Sequence, residues 1–189
     1  MLAERGAILL AIARGAIAAS LGEAGPKQGP AAGWLEQPGA SFVTLRQLGE
    51  LRGCVGSLCA ERSLRSDVER NALAAAFRDP RFAPLSRREY PEIEVEVSQL
   101  SPLEPIAFES ESHALGLLRP GVDGVLLEYE ERRGTFLPQV WEQLPESAAF
   151  LAHLKQKAGL PAGFWAADLK LSRYTVRKWR ESDAKRVAD

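Results

Sequence analysis

The stretch from Ser41 to Leu58 constrains this chain most. Ser41-Phe42-Val43-Thr44-Leu45 is apolar and β-branched and reads as a strand. Leu51 to Leu58 reads as a second strand, with Gln47-Leu48-Gly49-Glu50 as the turn between them. So short a connection favours an antiparallel hairpin. Ile93-Glu94-Val95-Glu96-Val97-Ser98 alternates apolar and polar strictly, the period of a half-exposed strand. Val125 to Tyr129 follows the turn Gly121-Val122-Asp123-Gly124, Thr135-Phe136-Leu137 pairs back, and Leu169 to Trp179 reads as a last strand. Helical spacing runs from Leu2 to Leu21, ended by Gly22, and from about Ser63 to Phe77. The second pattern contains a Ser66-x-x-Glu69 capping-box spacing and stops at Asp79-Pro80. Residues 111–118 suit a short helix, and 146–158 a longer one opened by Pro145 and closed by Gly159. Segment 22–40, rich in Gly and Pro, is a loop whose Trp34 and Leu35 fold back onto the core, and 181–189 is expected to fray. Strands paired through short turns, with helices between them, give an α+β fold: a mainly antiparallel sheet with flanking helices. A glycine-rich dinucleotide loop and long βαβ alternation are missing, which argues against a Rossmann fold.

Composition narrows the function. The 189 residues carry 24 basic and 25 acidic side chains and are 46% hydrophobic, too apolar for a disordered chain. The length suits one domain over 1–189, or two small lobes. Near-zero net charge provides no global field for nucleic acid or anionic membrane. Two cysteines build neither a disulfide framework nor a four-thiolate metal site. Residues 6–21 look like a signal peptide, but Arg14 interrupts the apolar run and Glu4 stands beside Arg5. No stretch approaches the ~20 apolar residues of a membrane span. The expectation is a soluble, cytoplasmic protein with reduced thiols.

The segment Leu51-Arg52-Gly53-Cys54-Val55-Gly56-Ser57-Leu58 is where chemistry would sit. In an extended chain Arg52, Cys54 and Gly56 share one face, and Leu51, Gly53, Val55 and Ser57 the other. Arg52 and Cys54 would then lie roughly 6–7 Å apart along the strand, where a guanidinium favours the reactive thiolate. The glycines would admit a ligand or another backbone. A packed, inert thiol is the competing reading, since free cysteine is among the most buried residue types. Cys59 reads as structural. A cysteine nucleophile wants a nearby base, and His113 and His153 are the only histidines, both of ordinary helical surface character. Their spacing argues against zinc, and no cofactor or metal is expected. Glu94 and Glu96 share a strand face and read as its wet side rather than as an acid–base pair. The basic run from Lys170 to Arg186 reads as a charge-guarded edge strand ahead of a nucleic-acid patch.

Taken in order, these residues resemble the AMMECR domain family, whose prokaryotic relatives are called AmmeMemoRadiSam system protein A. The resemblance rests on Phe42-Val43-Thr44-Leu45, the hallmark from Leu51 to Leu58, Asn71-Ala72, Asp79-Pro80-Arg81-Phe82, Leu85, Glu96-Val97-Ser98-x-Leu100-Ser101-Pro102, Gly121-x-x-Gly124, Phe136 to Trp141 and Lys157-Ala158-Gly159-Leu160. Val55 replaces the family's usual isoleucine. The likeness covers roughly residues 5–180. It implies an α+β fold of two lobes within one compact AMMECR-like domain, with the hallmark strand near the cleft between them. It names no reaction, but it links such proteins to a Memo-like protein and a radical-SAM protein. It draws interest to Arg52, Gly53, Cys54, Gly56, Asn71, Asp79, Arg81, Phe82, Glu96, Pro138, Gln139 and Lys157. Two readings stand. One is an interaction or substrate-binding component of such a pathway. The other is an enzyme with Cys54 as nucleophile, Arg52 holding an anion or lowering the thiol pKa, and Asn71, Glu96 or Gln139 orienting an unidentified small-molecule or protein substrate.

Overall fold

The computed structural model describes residues 2–26 and 32–186. The chain forms two compact units, one built from the chain up to Leu100 together with the segment from Arg177, the other from Ser101–Val176. Each has its own four-stranded sheet and apolar core.

In the first unit, β1 (Ala40–Gln47) and β2 (Glu50–Gly56) form the expected hairpin. Its turn is only Leu48-Gly49, with φ of 52° and 83°. Two left-handed residues match the twist of the flanking strands, and Leu48 is fully exposed there, so the strain carries no packing cost. With β3 (Ile93–Leu100) and β8 (Val176–Arg180) the sheet runs in the order β2-β1-β3-β8, β1 pairing antiparallel with both β2 and β3. Helices α1 (Leu2–Leu21) and α2 (Leu64–Phe77) cover one face with Leu9, Ile17, Val68, Ala72 and Ala75, against Val43, Leu45, Val95 and Val97. Leu35, on a 3-10 turn in the Gly/Pro-rich loop, is buried in this core, and Trp34 packs against it.

In the second unit the order is β4-β7-β5-β6. It comprises β4 (Glu104–Pro105), β5 (Gly124–Tyr129), β6 (Arg132–Phe136) and β7 (Lys170–Tyr174), with α3 (Glu111–Leu117) and α4 (Ser147–Lys157). Trp141 stacks on Phe150 with ring centroids 3.7 Å apart, and its indole N–H donates to the Asp123 carbonyl at 2.7 Å. Such a stack adds specificity to area burial. Gly159, at φ 78°, closes α4 as expected.

Four local expectations change. The strand foreseen over 169–179 is two strands, β7 and β8, in different sheets and separated at Thr175. A continuous run of strand-forming residues does not reveal where a chain changes sheets. The cap of α2 is Ser63, whose hydroxyl accepts from the Ser66 N–H at 3.4 Å, so Ser66 lies inside the helix. Pro145 stands ahead of the cap residue Glu146 rather than in the first turn of α4. Glu181–Arg186, expected to fray, is helix α5, and its first residue is tied to Arg14. The expectation for 187–189 lies outside the described residues.

Candidate functional site at the β2 edge

The hallmark segment is the outermost strand of the first sheet. Such an edge leaves main-chain groups without a neighbouring strand. At Cys54 side chains take that neighbour's place. The Cys54 N–H donates to Asp79 Oδ2 at 2.9 Å, and its carbonyl accepts from Arg81 Nη2 at 3.3 Å. Sequence explains the position of Asp79, because Asp79-Pro80 ends α2 directly beside β2. The Asp79 carboxylate also receives the Arg81 main-chain N–H at 3.1 Å, its Nε at 2.9 Å and its Nη2 at 2.7 Å. Asp79 is buried, while the Arg81 side chain is 54% exposed. The Arg81 guanidinium, helped by the Cys54 amide, holds the Asp79 carboxyl well below the usual carboxylate range. Arg81 is raised in turn, first by its hydrogen bond to Asp79.

The Cys54 thiol is half-buried and accepts a hydrogen bond from Thr44 Oγ1 at 3.3 Å. Thr44 is its cross-strand partner and also pairs with Glu96 on β3, so the three residues form one row across the sheet. Cys59 is half-buried as well.

The structure shows what Arg52 binds. The register slips between Leu45 and Arg46: Leu45 faces Gly53 but Arg46 faces Leu51, which leaves Arg52 as an extra residue. Such a bulge bends the strand and disrupts the ladder locally. The Arg52 guanidinium bonds Glu89 Oε1 and the Ala83 carbonyl, each at 2.9 Å, and its Nη1 is buried without a partner. Arg52 and Arg81 flank the same Phe82 ring, at 5.8 and 5.5 Å from its centroid. The guanidinium that hydrogen-bonds Cys54, at its main-chain carbonyl, is that of Arg81.

The two glycines serve packing. A Cβ on Gly53 would lie 2.2 Å from the Ala75 carbonyl oxygen of α2, and one on Gly56 would lie 2.2 Å from the Phe42 ring. Asn71 points into a buried network beside the end of β2. Its amide donates to the Ser41 carbonyl, Ser57 Oγ and Asp67 Oδ2 at 2.9, 3.2 and 3.0 Å. Glu96 is buried rather than wet, paired with Lys178 at 3.0 Å and Arg180 at 2.6 Å. Glu94 accepts the Ser182 N–H at 3.1 Å. The two carboxylates thus have separate partners on the chain's last segment, and β8 is a basic edge strand. Pro138 and Gln139 lie on a 3-10 turn of the second unit, Gln139 exposed. Lys157 is exposed, with its ammonium 5.0 Å from the Phe136 ring. His113 Nδ1 accepts the Glu109 N–H, and His153 Nδ1 meets the Ala149 carbonyl. Among the described residues, no cluster of three or more His, Cys, Asp or Glu is placed to hold a metal ion, and no helix is long and apolar enough to cross a membrane.

Sequence reasoning missed Thr44, Glu89, Asp67 and the cations on Glu96. Asp67 and Asn71 stand at i, i+4 on the inward face of α2, a buried polar pair that the helical pattern alone makes visible.

A family model described as AMMECR1 matches residues 10–179. The chain belongs to the AMMECR1 family. The match takes in the hallmark strand, Asp79–Phe82 and Phe136–Trp141. A protein of Methanothermobacter thermautotrophicus is 38% identical over 142 residues, 74% of this chain and 74% of its own. One of Thermofilum pendens is 33% identical over 203 residues, 97% of this chain and 92% of its own. The crystal structure of an uncharacterised protein from Pyrococcus horikoshii superposes with a TM-score of 0.80 at 33% identity, covering 94% of this chain and 92% of that one. The α+β architecture is thus shared by an AMMECR1-like protein solved by experiment.

Acid sensitivity follows from the site. Asp79 and Glu89 both have depressed folded-state pKa values. Glu89 is pushed down to about 2, first by Arg52 and then by the Ser86 amide and hydroxyl. A depressed carboxylate contributes stability above its unfolded pKa of about 4 and loses it as pH falls through the folded value. Urea unfolding at pH 6, 4.5 and 3 is expected to show stability falling mainly below pH 4.5. Glu89→Gln is expected to flatten the decline, and a variant slope equal to the wild-type slope would remove Glu89 from the account.

Proposed function

We propose that this AMMECR1-family protein is a binding component, for a partner protein or a substrate, of a pathway that includes a Memo-like and a radical-SAM protein, and that it binds through the β2 edge at Cys54 and Arg81. The observation that carries this reading is the commitment of Asp79. A general base works best with a pKa near the operating pH, and the carboxylate next to Cys54 is held far below it by Arg81. The polar groups around the thiol are thus engaged in fixing one shape: the Arg81 fork is turned onto Asp79, while about half of the Arg81 side chain stays open to solvent. The link to the two proteins rests on the family resemblance. A second reading, a cysteine-dependent enzyme using Cys54, is favoured by the half-buried thiol, which accepts from Thr44 Oγ1 and has Arg81 on the carbonyl of its own residue.

Affinity capture from cells of the source organism separates the two. Wild type and Cys54→Ser are expected to retain the Memo-like or radical-SAM component, and Arg81→Glu to lose at least tenfold of it, after the unfolding midpoints of all three proteins are matched. Recovery of neither component by wild type would overturn the binding reading. A Cys54→Ser protein that captures both but abolishes the pathway's product would favour the enzyme.

A further inference from the structure

Arg14 is the residue that breaks the first apolar run, and the fold surrounds its guanidinium with acceptors. Its Nη1 donates to the Tyr90 carbonyl at 3.2 Å and its Nη2 to the Ile93 carbonyl at 2.6 Å. The remaining fork is taken by Glu181, with Nε on Oε1 and Nη2 on Oε2 at 2.7 Å. Glu181 Oε2 also accepts the Val95 main-chain N–H at 2.9 Å. The two side chains are only 18% and 22% exposed. A guanidinium fork plus one strand amide is a complete donor set for a single planar carboxylate. Here that carboxylate belongs to the chain's last segment, at the first position of α5. It borders a hollow of about 500 Å³, lined also by Pro91, Glu92, Ile93, Glu94 and Ser182.

We propose that Arg14 and the Val95 amide form a carboxylate-binding site that Glu181 fills from within, and that a small carboxylic acid entering the hollow displaces Glu181 and releases α5. The charge around the site sets the ligand class. Glu92 and Glu94 line the same hollow, so a phosphate dianion is repelled more strongly than a monocarboxylate. Release stops at α5. Strand β8 stays because Lys178 and Arg180 hold Glu96, and Trp179 packs under Gly6 of α1. Beyond Glu181, α5 is held by the Ser182 N–H on Glu94. A helix of six residues belongs to the low-stability end of local opening.

The test uses the full chain, with amide exchange followed by NMR in sodium acetate and in sodium chloride of equal ionic strength. In Glu181→Ala the Val95 amide is expected to exchange at least tenfold faster in chloride. Acetate should re-protect it and raise the melting temperature. In wild type, acetate should speed exchange over 181–186 while Val95 stays protected, because one carboxylate has replaced another. Identical behaviour in acetate and chloride, or an unchanged Val95 rate in Glu181→Ala, would overturn the proposal. If the alanine variant does not fold, Glu181→Gln carries the same comparison.

Discussion

Replacing Asp67 by alanine is expected to cost the protein about 3–5 kcal/mol, the usual loss when one partner of a buried charge pair is removed. Asp67 has no exposed surface, yet it accepts four hydrogen bonds. Three fall on Oδ2: the Ser41 N–H and hydroxyl, each at 2.8 Å, and Asn71 Nδ2 at 3.0 Å. The fourth comes from Arg62 Nη1 to Oδ1 at 2.9 Å. These bonds join the start of β1, the loop after β2 and the first turns of α2, so the residue closes the connection that leaves the hallmark strand. Alanine strands the buried Ser41 donors and leaves Arg62 only its longer contact to the exposed Glu61, at 3.9 Å. Asp67→Asn keeps an acceptor for Ser41 but removes the charge, and is expected to lose about 2 kcal/mol. Urea unfolding monitored by tryptophan fluorescence measures both. A value for Asp67→Ala within about 1 kcal/mol of wild type would show that the network is dispensable.

Gly53→Ala is expected to be the second severe change, at about 3 kcal/mol. The added methyl would sit 2.2 Å from the Ala75 carbonyl oxygen. That oxygen belongs to the backbone of α2 and has no rotamer to adopt, so helix and strand must separate. Gly56→Ala is the informative contrast. Its methyl meets the Phe42 ring, a half-buried side chain that can turn away, and the expected loss is about 1 kcal/mol. Equal losses at the two positions would mean that α2 and β2 are not in rigid contact. The pair also separates two meanings of glycine in the hallmark, since each is needed for a different neighbour.

The elements of this fold are mostly legible in local pattern. The hairpin could be read from the β-branched run at 41–45, the run at 51–58 and the short turn between them, β3 from its strict alternation, and α1 and α2 from their apolar spacing. Each depends on the chain's own sterics and period, which neighbouring residues supply. The break at Thr175 was not legible, because Leu171, Tyr174, Val176 and Trp179 suit one long strand as well as two. The anchoring of Glu181 was hidden for a related reason: its partner Arg14 is 167 residues away.

The candidate site divides along the same line. The residues themselves single out Cys54, its flanking glycines and Asp79-Pro80-Arg81, and local chemistry accounts for the helix stop that puts Asp79 beside β2. Which cation meets Cys54 is a different matter. Strand alternation pointed to Arg52, two positions away, whose guanidinium is bonded to Glu89 and lies by the Phe82 ring. Arg81, 27 positions from Cys54, takes its place at the Cys54 carbonyl. Glu96 likewise reads as the exposed side of a strand until β8 supplies Lys178 and Arg180. Periodicity by itself determined the elements and which residues could face the same way. Tertiary structure decided which charges neutralise which, because ion pairing depends on distance in space, and a strand from far along the chain changes that distance without altering the local pattern.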